Sequence, residues 1–358
     1  MVAMADPLDR YREMRDFEAT PEPAGEAPAA DVEGVRFVVQ EHHATSMHWD
    51  LRLERDGVLA SWAVPKGIPV DPRQNHLAVH TEDHPLEYLD FHGDIPDGSY
   101  GAGQMTVWDG GSYECHEWEP NKVVVTLHGR RARGRYALFQ TRDNQWIIHR
   151  MDPPEDPTRE AMPSGLRPMT ASAGALPDDE DAFGFEVRWS GVRALGSIEG
   201  GRIRVEDAGG ADIGGTFPEI RPLGRAVGAT EVILDGVVVA AGDGGRPDAE
   251  RMARRVAARS DSVVRRLARA IPVVYMVFDV LWHEGHPTLE LAYDDRRRLL
   301  DELRLEGPAW QVPASHPGQG AALLEASAAM GLDGIVAKRR TARYTPGAAS
   351  PDWIEVLR

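Results

Sequence analysis

The pattern of apolar and polar positions divides the chain into two differently built parts. From residue 36 to about residue 150, short runs of alternating apolar and polar residues are separated by turns rich in Gly and Pro. Such alternation is typical of strands that bury one face, and the frequent turns favour a compact β-barrel or sandwich. Residues 1–30 are polar and rich in Pro, Ala and Glu, which predicts an extended arm with one short helix.

From Phe183 onward, strand-like runs alternate with segments of helical period. The helical spacing is clearest over residues 250–270, 294–303 and 318–331. We interpret the first of these segments as one helix with an arginine-rich outer face. Strands that alternate with helices are typical of an α/β domain.

The segment between these two parts, residues 151–180, is rich in Pro, Ala and acidic residues, as linkers often are. We therefore predict an α+β protein with two domains. The predicted boundaries are a β-barrel-like domain over residues 1–152, a linker over residues 153–167 and an α/β domain over residues 168–358.

Composition limits the possible functions. The net charge of −17 argues against a broad basic surface that coats duplex nucleic acid, but it does not exclude a small pocket for a nucleic-acid end. Cys115 is the single cysteine, which excludes an internal disulfide framework. No apolar run approaches the length of a membrane span, and the N-terminus lacks the features of a secretory signal. We expect a cytoplasmic, nucleoid-associated protein.

Ten of the 13 histidines precede residue 150, so the first domain is the candidate for metal chemistry. In the segment 47–54, MHWDLRLE, strict alternation places His48, Asp50 and Arg52 on one face of a strand. A histidine and an aspartate two positions apart on a strand can reach one metal ion, and an arginine one step further can bind phosphate oxygens. His42 and His43 lie just upstream and offer a third ligand. The alternative interpretation is an ordinary solvated strand face.

A second segment, residues 80–84, lowers the weight of that alternative. If the strand continues until Pro85 ends it, His80, Glu82 and His84 share one face. Two polar faces of this kind in one barrel predict a shared polar cavity.

These segments also carry a family resemblance. In unbroken order over about residues 10–152, the chain resembles the phosphoesterase domain of bacterial DNA ligase D. The resemblance is carried by RDF (15–17), TPEP (20–23), QEHHA (40–44), HWDLRLE (48–54), SWAVPKG (61–67), LAVH (77–80), EDHP (82–85) and IP with GSYGAG (95–103).

The resemblance implies a site for manganese, or another divalent metal, formed by His42, His48 and Asp50. It implies phosphate contacts from Arg52 and His84. It also implies supporting roles for six further residues: Arg15, Asp16, Glu22, Lys66, Glu82 and Tyr88. The remaining histidines of this domain match no functional position of the family: His43, His80, His92, His116, His128 and His149.

One position departs from the family. His76 stands where the family usually has arginine before Leu-Ala-Val. A neutral imidazole holds phosphate less firmly than a permanent cation, so we expect turnover or the pH optimum to differ.

The reaction implied is hydrolysis at a 3′ terminus, which removes a terminal ribonucleoside and then a 3′-phosphate. The substrates would be DNA 3′ ends or primer–template junctions, some of them ribonucleotide-tipped. His84 either stabilises the developing charge or protonates the leaving oxygen, and the sequence leaves both roles open.

The second domain, from about residue 168, resembles the nucleotidyltransferase domain of ATP-dependent DNA ligases. The resemblance is carried by FEVRWSGVRAL (185–195), FPE (217–219), ILDG (233–236), FDVL (278–281), GLDGIVAK (331–338) and DWI (352–354). Four residues match functional positions of that family: Arg193, Phe278, Asp333 and Lys338.

Other positions of that site depart from the family. Arg188 replaces the lysine whose neutral amine attacks ATP, and arginine stays protonated in proteins. Ser190 replaces an aspartate, and Val237 replaces a metal-binding glutamate. Glu355 and Leu357 replace two lysines. We predict a degenerate ligase module that does not use ATP covalently, binds nucleotide weakly and lacks the family's following oligonucleotide-binding barrel.

The resulting hypothesis is a 3′-end-processing phosphoesterase in non-homologous end joining, fused to a pseudo-ligase that docks DNA or a repair partner such as Ku, a ligase or a polymerase. Three alternatives remain at this point. A non-haem iron oxygenase also uses a His-x-Asp pair, here His48 and Asp50, with a distant histidine. A non-catalytic end-joining scaffold would need neither site. An active ligase is nearly excluded by Arg188.

Overall fold

A computed structural model describes residues 6–25, 35–154, 156–242 and 245–357. The chain forms two compact units, Met1–Pro157 and Thr158–Arg358. Much of the segment predicted as a linker, residues 153–167, lies in the second unit. Its apolar Met162 and Leu166 pack against that unit's core, and Arg159 forms an ion pair with Glu231, which is why this stretch does not run free.

In its described ranges, the first unit has nine antiparallel strands after one short α-helix. The helix is α1 (Asp9–Glu13), and the strands are β1 (Arg36–His43), β2 (His48–Arg55), β3 (Val58–Val64), β4 (Asn75–His80), β5 (Gly93–Ile95), β6 (Gly103–Glu119), β7 (Lys122–His128), β8 (Arg133–Arg142) and β9 (Gln145–Arg150). The sheet order is β1-β2-β3-β4-β9-β8-β7-β6-β5, and pairing of β1 with β6 closes it. The barrel-like fold predicted from the alternating pattern is thus confirmed.

Both faces of β2 are buried, unlike those of a strand with a solvated side. Trp49, Leu51 and Leu53 pack on one face, while Asp50 and Arg52 are buried on the other. A second apolar cluster covers this other face of the sheet. It contains residues of the N-terminal arm, of β1, β3, β5 and β6, and of the turn after β4: Leu8, Tyr11, Val38, Val58, Leu59, Tyr88, Leu89, Ile95 and Met105. The polar row is therefore enclosed and not solvated.

Strand β4 ends at His80, so the prediction that it continues to Pro85 is wrong. Beyond His80 the chain turns away from β9 and pairs with β3, through Thr81 N to Ser61 O and through His84 with Leu59. As a result His80 packs against Trp62, while Glu82 and His84 reach a different space.

Over the residues that the structure describes, the second unit contains two sheets and five α-helices. The strands are β10 (Thr170–Ala173), β11 (Phe183–Val187), β12 (Val192–Glu199), β13 (Arg202–Asp207), β14 (Val232–Ala240), β15 (Val273–His283), β16 (His286–Pro287), β17 (Trp310–Gln311), β18 (His316–Pro317), β19 (Gly334–Arg339) and β20 (Ala349–Leu357). The helices are α2 (Pro222–Val227), α3 (Ala249–Val256), α4 (Asp261–Ala270), α5 (Tyr293–Glu302) and α6 (Gly320–Ala329). One sheet has the order β10-β20-β19-β11-β18, and the other β13-β12-β14-β15-β16 with β17 beside β15.

Strand β14 is buried along its whole length because both of its faces are covered. Val232, Leu234 and Val238 join a core that includes α3 and α4. Ile233 and Val237 join a second core on the side of Phe278 and Trp353. The mixed strand–helix architecture confirms the predicted fold class, and α5 and α6 confirm two of the three predicted helices.

The remaining predicted helical segment, residues 250–270, forms two helices and not one. These are α3 and α4, which are separated at residues 257–260. The arginines of this segment are also not all on an outer face. Arg255 is fully buried, forms an ion pair with Glu219 and donates to Ile271 O, so the chain folds back around this side chain. None of the helices in the described ranges has the length and apolar character of a membrane span.

Candidate functional site

Two neighbouring strands bring three metal-binding side chains together. His42 of β1 pairs in register with His48 of β2, and Asp50 lies two residues further along on the same face of β2. His42 Nδ1 is 3.2 Å from His48 Nε2. The nearest Asp50 oxygens are 3.7 Å from His42 Nδ1 and 3.6 Å from His48 Nε2. Ligand atoms of all three residues lie within 4.8 Å of one another, which suits coordination of one ion.

The outer nitrogens of the two rings indicate which atoms carry protons. His42 Nε2 is 2.9 Å from Gly101 O, and His48 Nδ1 is 2.9 Å from Ser46 O. Because a carbonyl oxygen only accepts, both of these nitrogens donate. The facing nitrogens, His42 Nδ1 and His48 Nε2, are then the ones free to offer lone pairs to an ion beside the Asp50 carboxylate. Such a set of donors fits a divalent cation, since metal-binding histidines commonly donate their other N–H to a backbone carbonyl.

Arg52 lies directly beside this cluster and is held on three sides. Its Nη2 donates to Asp50 Oδ2 at 3.0 Å, its Nε to Gln40 Oε1 at 2.7 Å and its Nη1 to Ser61 Oγ at 2.9 Å. Burial alone would raise the pKa of Asp50, but the charge of Arg52 and the interactions with His42 and His48 together outweigh this effect, so the pKa falls below its ordinary value. Asp50 is therefore ionised and available as a ligand.

Gln40 and Ser61 were not predicted as site residues. Gln40 lies two positions before His42 on β1, so alternation alone places the two side chains on one face. Ser61 lies opposite Arg52 in the register of β2 and β3, which the sequence does not reveal.

The N-terminal arm adds a second guanidinium. Arg15 donates to Glu22 at 2.7 Å, to Glu82 at 3.0 Å and to His84 Nε2 at 3.1 Å. Glu22 also accepts from the Tyr88 hydroxyl. This network connects the arm with the turn after β4, so residues far apart in sequence share one enclosed space.

His84 is neutral in this arrangement. Its Nδ1 donates to Glu82 O at 2.8 Å, and its Nε2 accepts from Arg15. Burial, with the nearby charges of Arg52 and Arg15, holds the pKa of His84 well below its ordinary value. In this state Nε2 has a lone pair and no proton to give.

These groups line one cavity of about 180 Å³. Nine of the predicted site residues line it: Arg15, Glu22, His42, His48, Asp50, Arg52, Glu82, His84 and Tyr88. It does not collect Asp16, which is exposed and accepts from Glu18 N, or Lys66, which is exposed. Their predicted roles remain predictions. His76 is buried outside the cavity lining, where its Nδ1 donates to Gly67 O at 2.7 Å.

The second unit has a larger pocket of about 500 Å³, in which several departures from the ligase pattern meet. Arg188 forms an ion pair with Glu355, and its Nη1 donates to Ser190 Oγ at 2.6 Å and to Asp333 Oδ2 at 3.0 Å. Three replaced positions and one retained aspartate thus form a single charged cluster. Leu357, the other lysine replacement, is half-exposed and does not line the pocket.

The inner wall of this pocket keeps the matching residues. Lys338 Nζ is buried, pairs with Glu186 at 2.7 Å and lies 4.2 Å from the ring centroids of both Phe278 and Trp353. Burial lowers the pKa of Lys338. Val237 adds an apolar patch to the same lining.

Arg193, another retained residue, also lines the pocket and pairs with the buried Asp235 at 2.5 Å. In total the pocket cluster has the cations Arg188, Arg193 and Lys338, each paired with a carboxylate of the protein.

Comparison with known proteins gives two family matches. Residues 40–140 match the DNA ligase D 3′-phosphoesterase domain, and residues 168–356 match the ATP-dependent DNA ligase domain. A mycobacterial DNA ligase D structure, in complex with ATP and MES, is 31% identical and aligns with 54% of this chain and 60% of its own, with a TM-score of 0.47.

The similarity to full-length relatives extends across both units. The multifunctional non-homologous end joining protein LigD of Mycolicibacterium smegmatis is 38% identical over 364 residues, covering 98% of this chain and 46% of the relative. The protein of the same name from Pseudomonas aeruginosa is 31% identical over 405 residues, covering 98% and 47%. The chain spans about half the length of these curated relatives. It therefore belongs to the DNA ligase D family, with a domain of the ligase D 3′-phosphoesterase type followed by one of the ATP-dependent DNA ligase type.

Proposed function

We propose that the first unit is a divalent-metal-dependent phosphoesterase that trims the 3′ ends of broken DNA during non-homologous end joining. The observation that carries this proposal is the pair of facing imidazole nitrogens, His42 Nδ1 and His48 Nε2, beside the ionised Asp50. Manganese is the proposed ion. A divalent metal held by these three residues supplies Lewis-acid polarisation of a phosphoryl oxygen.

The surrounding charges favour a phosphoester substrate over the oxygenase alternative. Arg52 uses three of its five N–H groups in contacts to Asp50, Gln40 and Ser61, which leaves two without a partner in the described part of the chain. Arg15 lies across the same cavity. Two oriented guanidinium groups suit the anionic oxygens of a phosphate, which an uncharged oxidation substrate does not have.

His84 serves as an acceptor in this proposal. Its unprotonated Nε2 accepts from Arg15 and so fixes that guanidinium beside the cavity, while the two arginines stabilise the developing negative charge. The substrate class follows the family: a 3′-phosphate or a 3′-terminal ribonucleoside on a primer–template. The proposed partners in the cell are end-joining proteins such as Ku and the polymerase and ligase that use the cleaned end.

The test is hydrolysis of primer–templates that end in a 3′-phosphate or a 3′ ribonucleotide, with manganese and after chelation. We expect activity that requires the metal and is abolished by Asp50→Asn, which keeps the shape of the side chain but removes its charge. Asp94→Asn is the matched control, because Asp94 is exposed and outside the cavity. Full activity of Asp50→Asn, or activity in a chelator, would reject the proposed metal site.

For the second unit we propose a pseudo-ligase role: it does not adenylate and instead helps hold DNA near the first site. Two features support this. The pocket's cations are all engaged by carboxylates of the protein, so little positive charge remains for a triphosphate. In addition, the helices α3 and α4 expose a row of arginines in a chain whose net charge is −17.

A further inference from the structure

One aromatic side chain in the metal cavity differs from the others in its exposure. Tyr88 lines this cavity and is 1% exposed, whereas Tyr100, which lines the same cavity, is 48% exposed. An exposed ring beside a polar site has lost the packing that normally orders aromatic residues, so a ligand that covers it gains contact area. Tyr100 is also absent from the set of residues that the metal and phosphate chemistry uses.

The loop that carries Tyr100 is tied to the metal ligands. Turn hydrogen bonds run from Ser99 N to Pro96 O at 3.1 Å and from Ala102 N to Ser99 O at 3.2 Å. The carbonyl oxygen of the next residue, Gly101, accepts a hydrogen bond from His42 Nε2. The Tyr100 backbone is thus fixed relative to the cluster, and its ring is a pre-positioned surface at the cavity mouth.

The charges around the ring indicate which kind of group it receives. The Arg15 guanidinium carbon is 5.4 Å from the Tyr100 ring centroid, and Arg15 faces the same cavity as His48 and Asp50. A phosphate bound by the two arginines beside the proposed metal ligands would therefore place the nucleoside attached to it near Tyr100. Bases have a π-face that stacks on aromatic side chains regardless of sequence.

We propose that Tyr100 is a stacking platform for the base of the 3′-terminal nucleotide, so that the enzyme recognises a base-bearing end and not merely a phosphate. This inference rests on the proposed phosphoesterase function and names the part of the substrate that the site holds beside the phosphate. Tyr100 positions the end; it does not take part in bond breaking.

The experiment compares Tyr100 variants on two DNA ends, one with a terminal base and one without. Equilibrium binding of 3′-phosphate-tipped primer–templates is measured by fluorescence anisotropy in a chelator, so that the end is not consumed. The full chain and its variants Tyr100→Ala and Tyr100→Phe are each tested with a normal terminal nucleotide and with an abasic one. Manganese-dependent turnover of the normal primer by the unchanged chain is recorded separately.

For the normal end, we expect Tyr100→Ala to raise the Kd about tenfold and Tyr100→Phe to leave it nearly unchanged, because phenylalanine keeps the stacking ring. For the abasic end, all three proteins should bind alike, with the weak affinity of Tyr100→Ala. Equal losses on both ends would show a structural role and overturn the inference, as would no loss on either. Absent turnover by the unchanged chain would reject the phosphoesterase proposal, while the binding comparison would still decide whether Tyr100 contacts the base.

Discussion

Arg188 occupies the position where active ligases of the family present a neutral lysine amine. Its guanidinium contacts Glu355, Ser190 and Asp333, and each contact favours the charged form. An attacking nitrogen needs a free electron pair, which arginine does not offer at any pH at which the protein is folded. Arg188 and Glu355, which replace two lysines, thus form an ion pair with each other, and in the proposed pseudo-ligase neither supplies an attacking amine.

From this residue-scale arrangement we predict that the protein does not form a covalent adenylate, and that Arg188→Lys alone does not restore one. A lysine at position 188 would still face Glu355 and Asp333, which keep an amine protonated, and Val237 would still contribute no metal ligand. The measurement is incubation with labelled ATP and magnesium or manganese, followed by denaturing electrophoresis. Label on the unchanged protein would disprove the pseudo-ligase proposal, and label on Arg188→Lys would show that the other departures are tolerated.

At the scale of single elements, the loop between β5 and β6 contacts His42, one of the proposed metal ligands, through the carbonyl oxygen of Gly101. Gly103, the first residue of β6, has a φ of 141° and lies so close to β1 that an added Cβ would be 2.5 Å from His43 O. The neighbouring Gly98 has a φ of 89°, but an added Cβ there would meet nothing within 4 Å. An alanine at either position would be strained by the positive φ, but only at position 103 would its Cβ also collide with β1.

We predict that Gly103→Ala lowers manganese affinity about tenfold or more, because displacing the loop removes the Gly101 carbonyl that orients His42. Gly98→Ala is the matched control and should change the affinity much less. Manganese binding is measured by electron paramagnetic resonance of the free ion, and circular dichroism checks that both variants fold. Equal affinities for the two variants would mean that this loop does not orient the ligand.

Strand alternation in the sequence predicts side-chain placement correctly along β2 but not beyond the end of β4. The period of two along β2 is enough to place His48, Asp50 and Arg52 on one face, because strand geometry dictates it. The same rule fails after His80, since the chain leaves β9 there while it stays paired with β3, and of His80, Glu82 and His84 only the last two line the cavity. Pairing between distant segments, and not local pattern, decides that step.

Contacts between distant parts of the chain explain two other features of the structure that sequence periodicity does not predict. Residues 250–270 have continuous helical spacing, but the chain folds back around the buried Arg255 and so forms two helices. The arm residue Arg15 enters the site through contacts to Glu82 and His84, which are more than 60 positions away. Periodicity carries no information on such contacts, so only the family resemblance suggested Arg15 and Glu22.

At the scale of the whole molecule, the distribution of charge matters more than its sum. A net charge of −17 opposes non-specific binding to DNA, yet α4 exposes Arg265, Arg266 and Arg269 without a partner in the described part of the chain. Other exposed arginines of the second unit, such as Arg298 and Arg343, are paired with carboxylates. The unpaired arginines of α4 can therefore exchange their counterions for DNA phosphates.

We therefore predict that replacing Arg265, Arg266 and Arg269 together by glutamine weakens binding of a blunt DNA duplex and lowers its salt dependence. The slope of log Kd against log salt should fall by roughly one for each arginine that contacts a phosphate. The matched control replaces Arg298, Arg340 and Arg343, which are exposed but bound to Asp295, Asp294 and Glu290. Both triple variants remove the same charge, so a purely global effect would change binding equally in the two.

Binding is titrated at several salt concentrations, and phosphoesterase turnover is measured at saturating primer–template. We expect the α4 variant alone to lose duplex affinity while both variants keep the turnover of the unchanged chain, because the reaction takes place in the first unit and α4 only retains the DNA. Equal binding by the two variants would reject α4 as the docking surface, and a loss of turnover at saturation would assign it a role beyond docking.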